Sequence, residues 1–136
     1  MTTLAVLPML VQEYTDDKTV AEVRELLRAC GWQDNAIPSV DTLLESAMTG
    51  CAFVALREEK VIGFIRVVSD GETVSYITEI AVDASARFQG VGRALVDAVA
   101  REFPKARIDL LSTKLAQSFY EDLGFVNKPG YRRWPK

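Results

Sequence analysis

The stretch Ile77–Ala100 constrains the fold of this chain more than any other. It reads Ile-Thr-Glu-Ile-Ala-Val-Asp-Ala-Ser-Ala-Arg-Phe-Gln-Gly-Val-Gly-Arg-Ala-Leu-Val-Asp-Ala-Val-Ala. An apolar strand ending at Val82 meets a short turn with Gly90 and Gly92, and apolar residues at helical spacing begin there. A junction of this kind leaves several backbone N–H groups unpaired at the positive end of a helix, which is a site for phosphate. Its glycines let the chain take unusual dihedrals and let a ligand approach without meeting a Cβ. A plain structural turn uses the same residues, so the turn alone leaves both readings open. Two commoner phosphate motifs are excluded. No Lys-Ser or Lys-Thr follows Gly92, as a P-loop requires, and Leu95 stands where a dinucleotide fingerprint needs a small residue.

The 136 residues are expected to form one domain, 1–136, with a core of its own. Hydrophobic residues at 49% and charged residues at 26% are ordinary for a globular protein. No apolar run approaches the roughly 18 residues of a membrane span, and the start lacks the pattern of a secretory signal. Cys30 and Cys51 have no metal spacing and read as free thiols in a reducing compartment, so the expectation is a cytoplasmic protein with no metal. A net charge of −3 argues against nucleic acid or an acidic membrane as the main partner, and does not oppose a cationic substrate. The chain has no histidine, so the usual near-neutral acid or base is missing.

Along the chain, Met9–Tyr14 reads as a strand. Asp16, Asp17 and Thr19 offer helix N-cap residues for Val20, Val23, Leu26, Leu27 and Cys30 at helical spacing, with Gly31 as the stop. A second helix starts at Pro38-Ser39 and stops near Gly50; the polar segment 31–38 before it suits either a loop or the lip of a pocket. Three strands follow as an antiparallel meander, Cys51–Arg57, Val61–Val68 and Thr73–Val82. After the glycine turn comes a helix ended by Pro104, then a strand at Arg107–Ser112 parallel to the one before the turn. A last helix spans Lys114–Leu123, and the tail has room for two short strands around Phe125-Val126 and Tyr131–Trp134.

Together these residues resemble the GCN5-related N-acetyltransferase (GNAT) superfamily. Arg87-x-x-Gly90-x-Gly92, after a strand ending Ile80-Ala-Val-Asp83, is similar to the family's acetyl-CoA signature. Ala116-x-x-x-Tyr120-Glu-Asp-Leu-Gly124-Phe125 resembles its second motif. The likeness covers about residues 51–125 well and the N-terminal third loosely. It implies an α/β fold with a mixed sheet, an antiparallel meander whose two central parallel strands splay apart, flanked by helices. It further implies that acetyl-CoA is the cosubstrate, bound by the turn Arg87, Phe88, Gln89, Gly90, Val91, Gly92 and Arg93, with the amides from about Gln89 to Gly92 holding the pyrophosphate. Backbone groups near Ala81 and Val82 would pair with the pantetheine arm and polarise the thioester carbonyl. The resemblance also implies that two copies often pair through the C-terminal strands. Thr113 stands where the family often has asparagine, so no ligand contact is assigned to it.

Acetyl transfer to an amine needs an unprotonated amine, a stabilised oxyanion and a thiolate that can leave. An alkylammonium of pKa ~10 is neutral about one time in a thousand at pH 7, a handicap of roughly 4 kcal/mol, so a base or a water relay takes the proton. Without histidine the carboxylates are the candidates. Glu79 is the first choice, since its apolar strand neighbours Ile77, Ile80 and Val82 would favour proton uptake; the alternative is a solvated polar face. Tyr76 and Asp109 are lesser candidates. Tyr120, which the resemblance puts close to the CoA sulfur, is the candidate acid, because a phenol can give a proton to a leaving thiolate without ionising at neutral pH. Its alternative is a ring packed with Phe119 and Phe125. The leading expectation is an acetyl-CoA-dependent N-acetyltransferase acting on a primary amine of a small molecule. Acetylation of protein or peptide amines and a non-catalytic acyl-CoA sensor are the alternatives.

Overall fold

The computed structural model describes residues 8–15, 19–33 and 38–136. The expected N-cap residues Asp16 and Asp17, and residues 34–37 of the segment read as a pocket lip, lie outside them. Among the described residues the order is β1 (Leu10–Glu13), α1 (Val20–Ala29), α2 (Val40–Thr49), β2 (Cys51–Arg57), β3 (Lys60–Ser69), β4 (Val74–Val82), α3 (Val91–Glu102), β5 (Arg107–Leu110) and α4 (Gln117–Asp122). The strands form one sheet in the order β1-β2-β3-β4-β5. Pairing is antiparallel from β1 to β4 and parallel between β4 and β5, which α3 connects.

Each face of the sheet is covered for a reason visible in the residues. The apolar stripe Val23, Leu26 and Leu27 of α1 joins Val40, Leu43, Leu44 and Ala47 of α2 over Val54, Val61, Phe64 and Ala81. α2 starts cleanly because the Ser39 hydroxyl accepts from the Thr42 amide at 3.2 Å. On the opposite face Val91, Leu95, Val96, Ala98 and Val99 of α3 pack on Phe53, Ala55, Ile62, Ile65, Val67 and Ile77. This second layer is drawn in tightly at Gly63, where a Cβ would stand 2.8 Å from Val91 Cγ1 and 3.0 Å from Leu95 Cδ1. Gly63→Val is therefore expected to overpack the core and cost about 1–3 kcal/mol of stability, read as a lower midpoint in urea with an unchanged slope.

Two irregularities set the geometry of β4. Arg66 pairs with Glu79 but Val67 pairs with Ile77, so Thr78 is an extra residue, a β-bulge. The bulge reverses the facing of the strand: Ile77 lies with the α3 layer, yet four residues on Ala81 lies with the α1 and α2 layer. Pairing with β5 also stops at Ile77 and Leu110, while β4 runs on to Val82. Beyond that point the two parallel strands part, as the sequence led us to expect.

The C-terminal end departs from expectation. β5 ends at Leu110 rather than Ser112, and α4 is six residues long, entered through a 3-10 turn at Lys114–Ala116. Residues 125–136 form no strand. A four-residue edge strand offers little to pair with, and Pro129 has no N–H to donate. The tail instead runs against Leu111, whose Cδ2 would lie 2.6 Å from a Cβ at Gly130. Val126, Tyr131 and Trp134 remain exposed, with Arg132 stacked 5.2 Å from the Trp134 ring.

Candidate active site

The turn after β4 is built by side-chain bonds. Asp83 accepts from the amide and hydroxyl of Ser85 at 2.9 and 2.6 Å, closing a short 3-10 turn at Ala84–Ala86. Those bonds, with smaller help from the charges of Lys60 and Arg87, hold its carboxyl below the usual range. Phe88 and Gly90 both take positive φ, +63° and +83°. For Gly90 that conformation is free of Cβ strain; it lets the chain turn directly into α3. The first helical bond is Ala94 N–H to Gly90 O at 3.0 Å. The amides of Val91, Gly92 and Arg93 thus precede the helical ladder and point out of the N-terminus. The expected anion site is the amides from about Gln89 to Gly92; the ones ahead of the ladder here are those of Val91, Gly92 and Arg93. Arg87 is exposed, its Nε 3.5 Å from Val82 O, and the Phe88 ring is fully exposed.

The open edge of β4 lies beside this turn. Asp83 N donates to Ile62 O at 2.9 Å. Alternation along the register then turns the backbone groups of Ala81 and Glu79 toward β3, and those of Val82 and Ile80 toward the side where β5 has departed. Of the two residues expected to offer backbone groups there, Val82 turns its N–H that way, while its carbonyl accepts from Cys30 Sγ at 3.6 Å and Arg87 Nε at 3.5 Å. Ala81 is occupied with Phe64, a distinction that needs the register and is invisible in the sequence.

Glu79 is not in the apolar surroundings its strand neighbours suggested. Its Oε1 accepts from Arg66 Nε at 2.6 Å and from the Thr78 hydroxyl at 3.0 Å, and its Oε2 from Arg66 Nη2 at 3.1 Å. Both side chains are nearly covered, at 14% and 10% exposure for Arg66 and Glu79, so this is a bidentate pair rather than a solvated contact. The bulge creates it, by turning Glu79 onto the face where Arg66 lies. Asp109, directly opposite Tyr76 across the parallel pair, is tied to Arg107 at 3.0 Å.

Tyr120 is the buried residue of α4, its ring edge-on to Phe119 (5.0 Å) and Phe125 (5.6 Å). The packing expected as its structural alternative is present. Burial pushes its phenol above the ordinary value, so the hydroxyl keeps its proton at neutral pH. The link to the glycine turn is Phe119: a Cβ on Gly92 would lie 2.7 Å from Phe119 Cζ. The second glycine of the signature therefore also makes room for the helix that carries Tyr120. Cys51 is no nucleophile, because burial first, then the charges of Glu102 and Glu13, pushes its thiol up to about 11. Among the described residues no cluster of side chains could hold a metal.

Comparison with known proteins decides the family. Residues 49–127, more than half of the chain, match the family model described as the acetyltransferase (GNAT) domain. The chain belongs to the GNAT family. A 76-residue segment is 33% identical to GCN5-related N-acetyltransferase 2, chloroplastic, of Arabidopsis thaliana, covering 54% of this GNAT chain and 30% of that protein. The match therefore spans about a third of that relative's length. Among solved structures, a GNAT-family acetyltransferase from Streptococcus pneumoniae TIGR4 superimposes with a TM-score of 0.77 at 23% identity, over 95% of this chain and 98% of the other. The aminoglycoside N-acetyltransferase AAC(6')-Iy, solved with CoA, does so with a TM-score of 0.77 at 19% identity, over 99% of each chain. At such identities the structural likeness establishes the GNAT fold.

Proposed function

We propose that the chain is an acetyl-CoA-dependent N-acetyltransferase that moves the acetyl group directly to a primary amine of a small molecule. The observation that carries this reading is the parting of β4 from β5 after Ile77 and Leu110, beside the amides of Val91, Gly92 and Arg93 that precede the ladder of α3. The amides suit a pyrophosphate, and the backbone of Ile80 with the N–H of Val82 suits an extended amide-bearing arm that pairs as a strand would. The Val82 N–H is placed to donate to the thioester carbonyl as it becomes an oxyanion. Tyr120 supplies the proton to the leaving thiolate. Glu79, already holding the Arg66 guanidinium, keeps a free lone pair on Oε2 with which to orient the amine or a water that carries its proton away.

The small-molecule acceptor is part of the proposal. Two matched structures are named as aminoglycoside acetyltransferases, which makes aminoglycosides worth including among the acceptors tried. The test is release of free CoA thiol from acetyl-CoA with polyamines, aminoglycosides, amino sugar phosphates, amino acids and short peptides. Turnover with one of the small amines is expected. Turnover with peptides alone moves the acceptor to protein, and CoA binding with no turnover on any acceptor overturns the enzymatic reading.

A further inference from the structure

The Asp83–Ser85 bonds close the first half of the turn that would hold pyrophosphate, and its second half has two residues at positive φ within three positions. That second half is tied to its surroundings by the side chain of Gln89. The Gln89 side-chain amide donates to Ser85 O at 3.2 Å, and its carbonyl Oε1 accepts from Arg57 Nη1 at 2.6 Å. Arg57 is the last residue of β2, two strands away from β4, and belongs to no signature of the turn. Its guanidinium makes no ion pair among the described residues, and its Nε–H is buried without a partner. A buried, unpaired donor on a cation costs free energy. Among the described residues, the one side-chain bond Arg57 makes is to the middle of the turn.

We propose that Arg57 is a positioning residue for the donor site, acting through Gln89. It clamps the Gln89 carbonyl from the β2–β3 hairpin and so presets the segment Arg87–Gly90 in the shape that aims the amides of Val91, Gly92 and Arg93 at a diphosphate. This rests on the donor-site reading given under Proposed function. A preset anion site binds more tightly because no ordering is left for the ligand to drive.

The test is a double-mutant cycle read as CoA affinity by calorimetry, with wild type, Arg57→Ala, Gln89→Ala and the double variant. Each single variant is expected to weaken CoA binding about tenfold, and the double variant by no more than either alone, since both remove the same strut. Arg57→Lys should recover most of the loss, because an ammonium can still donate to the Gln89 carbonyl. Thermal midpoints of the four proteins without ligand separate this from simple unfolding, and the Gly90 and Gly92 amide resonances of Arg57→Ala should shift before any ligand is added. Additive losses in the double variant would overturn the proposal, showing that Arg57 acts on the phosphate by its own charge. So would unchanged affinity in Arg57→Ala. A wild-type protein that binds no CoA would instead sink the donor-site reading itself.

Discussion

Tyr120→Phe is expected to lower the rate of acetyl transfer about a hundredfold, close to 2.7 kcal/mol of transition-state stabilisation, while CoA affinity stays within about twofold. The substitution keeps the ring and its contacts with Phe119 and Phe125 and removes the hydroxyl alone, so the fold has no reason to change. The pH profile adds a second readout. Burial raises the phenol's pKa in the folded protein, so its neutral, donating form persists from acid pH up past the ordinary phenol value near 10. The same shift means that whatever stability the neutral phenol contributes is present below that ordinary value. It is lost as pH rises through the higher folded value. The variant should therefore be slow at every pH between about 6 and 9, with no limb of the wild-type profile displaced in that range. Wild-type turnover in Tyr120→Phe across the profile would leave Tyr120 as a packing residue only.

Gly92→Ala should be nearly as damaging, for a reason that has little to do with phosphate. The new Cβ would lie 2.7 Å from Phe119 Cζ and 3.1 Å from Phe119 Cε1. Alanine is the better helix former by about 1 kcal/mol, but overpacking of this kind costs about 1–3 kcal/mol, so the ring or α4 has to give way. Tyr120 is the next residue along α4, and a displacement of about 1 Å at a reacting group can cost a hundredfold in rate. We expect turnover to fall by about ten- to a hundredfold, with partial recovery in Gly92→Ala/Phe119→Leu, where the shorter side chain readmits the Cβ. An unimpaired single variant would show that Phe119 turns aside freely. Failure of Phe119→Leu to restore any activity would place the damage at the amides of the turn instead.

The sequence carried the parts of this site that are local. The turn from Asp83 to Gly92, the stop at Gly31 and the cap at Ser39 are each set by residues within a few positions, and each is where its chemistry demands. The strand meander was legible for the same reason, since apolar alternation and turn residues are short-range signals. What escaped was set by one residue out of phase. Strict alternation puts Ile77 and Glu79 on the same face, and only the bulge at Thr78 delivers Glu79 to Arg66. Nothing local marks that bulge. The contact of Phe119 with Gly92 and the grip of Arg57 on Gln89 join positions far apart in the chain, where no spacing rule reaches. The tail misled in the opposite way: Tyr131–Trp134 has the composition of a strand, but the edge it would have joined ends at Leu110.

The unpaired edge of β4 beyond Ile77 bears on how such a protein can diverge. Recognition by main-chain groups asks nothing of the side chains that carry them, so substitutions accumulate along the strand without erasing the place where an acyl donor lies. Chains sharing only 19–23% of their residues with this one keep the same architecture. On our reading of the edge, the donor half of the reaction is inherited with the backbone. Selection on individual residues then bears on the acceptor half and on the few positions, Gly92 and the Arg57–Gln89 pair among them, that shape the turn.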